Sequence, residues 1–281
     1  MFPQLDRNVP HVGDKILSFL EPKDLAASVL VCKEWHQRAG PFLYKWYAII
    51  QREKGNVPLQ RAVVCGYDHM VAFFLRDKQT DVNETEREIL HIHEGSPALF
   101  EAAARGNEKI VKMLLEREDI DVNIELRQSG LTALYAAILY GKRRDPGHGY
   151  TSTVKQLLQR PEILVNTRNK VGGNTPLMAA IKRRQANVVE ELLRHPDIDV
   201  NIQDAAGHTA LHHAVFNNTF GYREDFWESS LKEKIINVLI ERGADIDVKL
   251  KIQDDERQTV MYYRNYISES APRVRRKSSK C

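Results

Sequence analysis

Cysteine is scarce in this chain: Cys32, Cys65 and Cys281 are the three in 281 residues, odd in number and far apart. Such spacing argues against a disulfide framework and for a reducing, intracellular compartment. Long hydrophobic runs are missing as well. No apolar stretch follows Met1-Phe2-Pro3-Gln4, and the run from Ala26 to Cys32 is far too short for a bilayer. A secreted or membrane-spanning chain is not expected, so Asn83-Glu84-Thr85 reads as a chance glycosylation acceptor. Nor does one charge predominate: 41 basic against 38 acidic residues leave a formal net charge of +3. No dominating field results, and neither nucleic acid nor membrane is an expected partner.

Catalytic patterns are equally thin. A phosphate cradle needs a glycine-rich loop running into a helix with Lys-Ser or Lys-Thr, and Gly130, Gly141-Lys142 and Gly147-His148-Gly149 lack that form. No nucleophile stands with a base and an orienting group. His91-Ile92-His93-Glu94 offers two imidazoles and a carboxylate without a matching third ligand, in the longest connector, where an exposed loop is the simpler reading. Hence no enzyme, cofactor or metal is expected. Cys281 lacks the three following residues that prenylation requires, while palmitoylation beside a basic tail stays open.

What is present is an ordinary globular composition, 42% hydrophobic and 28% charged, with length for about two domains, and above all an internal repeat. Five segments share an apolar anchor, a helix with a small residue near its middle, a turn, a second apolar helix and a Val-Asn or Ile-Asp end. The anchors are Leu59, Leu99, Leu134, Leu177 and Leu211, and the ends are Asn83, Asn123, Asn166, Asn201 and Asp247. Anchor to end measures 24, 24, 32, 24 and 36 residues, so two repeats carry insertions. The connectors between them measure 16, 11, 11 and 10 residues, giving an undisturbed period of 34 to 35.

The template has physical reasons. In Gly173-Asn174-Thr175-Pro176-Leu177 the glycine permits a tight turn, the threonine hydroxyl can cap helix N–H groups and the proline suits a first helical turn. Ala102-Ala103, Ala137 and Ala179-Ala180 are small where two helices of one repeat must approach. Gly66, Gly106 and Gly141 stand seven residues after their anchors, where a helix ends in a left-handed turn; Arg184 and Asn218 occupy the same place in the later repeats. Second helices such as Ile110 to Leu115 and Val188 to Leu193 show apolar residues at helical spacing.

These residues resemble the ankyrin family, most closely in Gly207-His208-Thr209-Ala210-Leu211-His212-His213-Ala214 and Arg242-Gly243-Ala244-Asp245-Ile246-Asp247. The resemblance implies stacked helix pairs joined by short β-hairpin loops, with His212 hydrogen-bonded to neighbouring backbone. It also implies a partner-binding face made of the loop tips and the exposed side of the first helices. There it places Ser96, Ala104 and Arg105; Leu131, Leu139 and Tyr140; Asn174, Lys182 and Arg183; and His208, Phe216 and Asn217. Arg105, Tyr140, Lys182, Arg183, His208 and Phe216 are the expected contacts, since arginine and aromatics most often anchor interfaces. The aromatic insertion from Thr219 to Ser230 is a further candidate contact. After Asp247 a polar half-repeat, with Arg264 where a buried alanine would stand, suits a terminal cap. Residues 266–281 read as a solvated, disordered basic tail.

Ahead of the repeats, Val9-Pro10, Ile16-Leu17 with Leu20, Pro22-Lys23-Asp24-Leu25, Val31-Cys32-Lys33-Glu34-Trp35 and Pro41-Phe42-Leu43 with Trp46 outline three short helices. So few residues bury too little surface to stand alone. Their order resembles the F-box family, apart from His11, Val12 and Gly13 after the proline. That resemblance implies docking on the Skp-family adaptor of a cullin-RING ubiquitin ligase through Pro10, Ile16, Leu17, Leu20, Leu25, Val31 and Trp35. The expected architecture is all-α: an F-box-like domain at 5–50, an ankyrin solenoid at 51–265 and the tail. The expected role is a substrate-recruiting ligase subunit, cytoplasmic with nuclear entry open to it, monomeric outside the ligase. The alternative is a ligase-independent scaffold or inhibitor whose first helices only cap the solenoid.

Overall fold

The computed structural model describes residues 48–49, 57–85, 95–140, 149–216 and 229–245. The F-box-like segment apart from residues 48–49, His91 and His93, the insertions at 141–148 and 217–228, the polar half-repeat and the basic tail lie outside the described residues, as do Gly141, Asn217 and Asn218. Ten helices are described: α1 Pro58–Cys65, α2 Asp68–Arg76, α3 Ala98–Arg105, α4 Glu108–Leu115, α5 Ala133–Tyr140, α6 Gly149–Leu158, α7 Pro176–Lys182, α8 Ala186–Arg194, α9 Ala210–Phe216 and α10 Ser229–Glu241. Among the described residues none is long and apolar enough to cross a membrane.

Each repeat starts its first helix by the chemistry its sequence offers. At α7, Thr175 sits in extended backbone and its hydroxyl accepts from the Met178 N–H at 3.3 Å, with Pro176 in the first turn. The ends repeat as closely. Gly66 and Gly106 adopt φ +71° and +64°, and Arg184 is held in the same left-handed region at +56°. Each donates its N–H three residues back, to Val63, Ala103 and Ile181, while the next residue reaches Ala62, Ala102 and Ala180, all at 2.9–3.0 Å. That pair of bonds closes a helix C-terminus by satisfying its last carbonyls.

The expected anchors Leu59, Leu99, Leu134, Leu177 and Leu211 are all buried, as are Ala102, Ala103, Ala137, Ala179 and Ala180. Val82, Val122, Val165 and Val200 are buried as well, while the Asn beside each faces the next repeat's turn. In α5 six consecutive residues, Ala133 to Ile138, are buried, as a helix covered on every side requires.

The described residues pack as two units: one runs to Glu101 and includes Lys112–Ile120, the other takes Ala102–Val111 and the residues from Asp121 onward. In the first, α1 packs on α2, and the Arg117 guanidinium donates to the carbonyls of Leu75 (3.0 Å), Asp77 (3.1 Å) and Thr80 (3.3 Å) while pairing with the Asp119 carboxylate at 2.7 Å. Those carbonyls close α2 and its following turn, so one arginine ties two repeats. In the second, α5, α7 and α9 pack side by side as one layer, α6, α8 and α10 as another, and each first helix packs on its own second helix.

A ladder of asparagines joins successive turns. Asn123 Nδ2 donates to the Glu162 carbonyl at 2.7 Å and its Oδ1 accepts from Leu164 N–H at 2.8 Å. Asn166 makes the same pair with Asp197 and Asp199 (2.7 and 3.0 Å), and Asn201 with Gly243 and Asp245 (2.9 and 2.7 Å). Asn83 donates to the Asp119 carbonyl at 2.8 Å. Asn123, Asn166 and Asn201 are thus two-way backbone clamps, a role that the burial of the preceding valine positions.

The expected β-hairpin loops are not found: among the described residues there is no strand. Each loop is closed by two backbone bonds: the N–H of Leu126, Asn169 or Asp204 donates to the carbonyl of Leu131, Asn174 or His208 at 2.9–3.0 Å, and the N–H of Gly130, Gly173 or Gly207 donates back to the carbonyl of Leu126, Asn169 or Asp204 at 2.7–3.0 Å. Other N–H groups of these loops go to side chains. Asn169 Oδ1 accepts from Gly172 and Asn174, and Asp204 Oδ1 from Ala206 and His208. Such Asx turns satisfy the backbone that a strand ladder would otherwise need.

Candidate functional site

The second unit carries the expected contact face. Arg105, Tyr140, Lys182 and Phe216 are each the last residue of a first helix, α3, α5, α7 and α9. Register explains the placement: each follows its anchor by five or six residues, one and a half turns along the helix. Tyr140 is 42% exposed, Arg183 exposed and Arg105 half-buried. Ala104, Leu139 and Asn174 are half-buried. Two of the wider set are not presented to a partner. Leu131 is buried, and Ser96 is buried with its hydroxyl donating to Glu101, within its own turn.

Lys182 and His208 are brought together through Asp204, a buried carboxylate that sequence reading passed over. Its Oδ1 is fixed by the Ala206 and His208 N–H groups, both at 2.9 Å. Its Oδ2 faces His213 Nε2 at 2.9 Å and the Lys182 ammonium at 4.0 Å. His208 Nδ1 lies 3.6 Å from Oδ1, and the His208 and His213 rings are 5.4 Å apart. Lys182 also donates to Asn174 Oδ1. By contrast His212 is occupied as expected: its Nδ1 meets the Thr209 N–H at 3.1 Å and the Thr209 hydroxyl at 2.8 Å.

Burial shapes the charges here. Desolvation, seconded by the Lys182 charge, pushes His213 down from 6.5 to about 4 against the pull of Asp204. His213 is therefore neutral near pH 7 and donates from Nε2 to the carboxylate. Burial alone would raise Asp204, but hydrogen bonds from the His208 backbone and His213 hold it below the ordinary carboxylate value. Lys182 is drawn down by burial of its ammonium end, although the side chain as a whole is 41% exposed. Behind the face, burial pushes the Tyr135 phenol up, and the Arg183 charge opposes that rise.

Position could have revealed Asp204, since it follows Asn201 by three residues, as the turn-forming Asn169 follows Asn166. His213, one residue after the template histidine, carries no periodic mark. Chemically the face offers one ionised carboxylate, neutral imidazole, three cations in Arg105, Lys182 and Arg183, and an exposed phenol, all suited to recognition.

Comparison with known proteins agrees with this construction. The model described as ankyrin repeats (3 copies) matches residues 59–145 and 146–250, which is more than half of the chain. The chain belongs to the ankyrin-repeat family. A second model, described as F-box-like, matches residues 10–50, so the two together define an F-box/ankyrin-repeat protein. No match is found among curated proteins. Among solved structures, the chain is similar to the ankyrin repeat protein EF0377, at 26% identity and TM-score 0.56, over 75% of this chain and 91% of that one. It is also similar in fold to the ankyrin repeat domain of Bcl-3, described as a unique member of the IkappaB protein family. There the identity is 20% and the TM-score 0.58, over 80% of this chain and 92% of that one.

Proposed function

We propose that the chain is a substrate-recruiting adaptor of a Skp-cullin-F-box ubiquitin ligase, with no active site of its own. The observation that carries this is the order of its two modules: an F-box-like segment at 10–50 directly ahead of repeats that begin at 59. Repeats of this kind bind proteins, and an F-box segment links what they hold to the Skp-family adaptor. Pro10, Ile16, Leu17, Leu20, Leu25, Val31 and Trp35 make that link in this reading. Arg105, Tyr140, Lys182, Arg183, His208 and Phe216 hold the target, an acidic or aromatic-bearing protein by their charge and rings.

Co-purification tests the reading. The full chain is mixed with the Skp-family adaptor, beside a variant carrying Leu17→Asp and Trp35→Ala. A complex with the wild type that the variant loses is the expected result. No complex with the wild type refutes the ligase role, and equal binding by the variant refutes the contact residues.

A further inference from the structure

We propose that Asp204, His208 and His213 form a site for a divalent transition-metal ion of the zinc type, on the face that presents Lys182 and Arg183. One ligand atom from each of the three, a ring nitrogen of each histidine and a carboxylate oxygen, lie within 4.8 Å of one another. In a tetrahedral zinc site with bonds of about 2.0–2.1 Å, ligand atoms stand roughly 3.3 Å apart. His213 Nε2 stands 2.9 Å from Asp204 Oδ2, already near that value, and His208 Nδ1 stands 3.6 Å from the other oxygen of the same carboxylate, Oδ1. The site closes by turning the His208 side chain.

The donor set selects the ion. Two imidazoles and one carboxylate suit Zn²⁺, Co²⁺ or Ni²⁺, whereas Mg²⁺ and Ca²⁺ require oxygen-rich shells. The carboxylate is already oriented as a ligand, because the Ala206 and His208 N–H groups hold Oδ1 and leave Oδ2 turned to His213. Access is open without the ligands being loose, since Asp204 is 6%, His213 13% and His208 17% exposed. His212 is not part of this cluster, and its Nδ1 is taken up by Thr209. The Lys182 ammonium, 4.0 Å from Oδ2, is the competing cation, and its exposed stem and its bond to Asn174 allow it to move aside. Three protein ligands leave a fourth position for water or for a side chain of a bound partner.

The test strips the full chain with a chelator, then titrates it with Zn²⁺ by calorimetry and with Co²⁺ by visible absorption. Expected are one ion per chain, the intense d–d bands of four-coordinate Co²⁺, and no response to Mg²⁺. His208→Ala and Asp204→Asn should each weaken binding by at least about tenfold. Asp204→Asn retains the oxygen that caps the loop, so its effect is read on a folded chain. A background variant, His91→Ala with His93→Ala, should bind as the wild type does. Failure of the wild type to take up one ion overturns the proposal, as does undiminished binding by His208→Ala and Asp204→Asn, or loss of binding in the His91/His93 variant alone.

Discussion

Replacing Asn123 with alanine removes one complete rung of the asparagine ladder while leaving the buried Val122 beside it untouched. Two bonds are lost: Nδ2 to the Glu162 carbonyl at 2.7 Å and Leu164 N–H to Oδ1 at 2.8 Å. A hydrogen bond contributes about 0.5–1.5 kcal/mol net. Both partners here border solvent, so water can take up the vacated carbonyl and N–H, which keeps the loss toward the lower end of that range. The sum is about 1–2 kcal/mol, and urea unfolding of the full chain should show it as a lower midpoint at unchanged slope. For a domain of this size the same loss corresponds to a fall in Tm of roughly 2–8 °C. Asn166→Ala and Asn201→Ala remove the same pair of bonds and should cost similar amounts. Glu125→Ala, an exposed change two residues away, should stay within about 0.5 kcal/mol. If Asn123→Ala falls within that same margin, the clamp contributes nothing, and the Val-Asn end would owe its form to the valine alone.

Three further outcomes are expected. Arg184→Gly should raise stability by roughly 0.5–1 kcal/mol, because relief of a left-handed side chain at φ +56° exceeds the entropy that glycine adds to the unfolded state; a loss in equilibrium unfolding would contradict it. Gly66→Ala, at φ +71° with open space around the new Cβ, should cost about 1 kcal/mol, and Gly106→Ala clearly more, since its Cβ would meet Tyr150 Cε1 at 2.7 Å. Equal losses would show that the Tyr150 ring gives way freely. His213, watched by NMR in the presence of a chelator, should titrate near 4. The unfolded chain takes up this proton near 6.5, so stability present above 6.5 falls as pH drops toward 4, by an amount on the order of 3 kcal/mol. A midpoint at or above 6.5 would refute the neutral state set by burial and the Lys182 charge against the pull of Asp204.

The fold was legible where its causes are local and periodic. Leu59, Leu99, Leu134, Leu177 and Leu211 could be placed in the core because their spacing fixes one face of each first helix. Gly66 and Gly106 could be placed in left-handed turns because a helix end needs such a conformation, and Arg184 followed from its register rather than from its type. Long-range partners were not legible in the same way. The carbonyls that Asn123 and Arg117 bind lie 39 and about 40 residues away, and no local pattern marks a backbone oxygen. The β-hairpin expectation failed for a related reason: Asn169 and Asp204 supply side-chain acceptors that replace strand bonds. Ser96 and Leu131 were assigned to the partner face by position alone, but a bond to Glu101 and apolar burial draw them inward.

Asp204 shows why the candidate site was the harder inference. One of its oxygens serves the fold by capping the loop through Ala206 and His208, and the other is turned to His213 and Lys182, which the repeat leaves free to vary. A template reading accounts for the first oxygen and is blind to the second. The same division runs along the repeats: leucine, alanine, valine and asparagine at fixed places carry the packing, so arginine, tyrosine, lysine and phenylalanine can be set at the ends of the first helices without disturbing it. A residue such as Asp204, bound to both sets, is where a change of recognition chemistry meets the stability of a turn. For that reason Asp204→Asn, which spares the turn and alters only the second oxygen, separates the two roles where alanine would confound them.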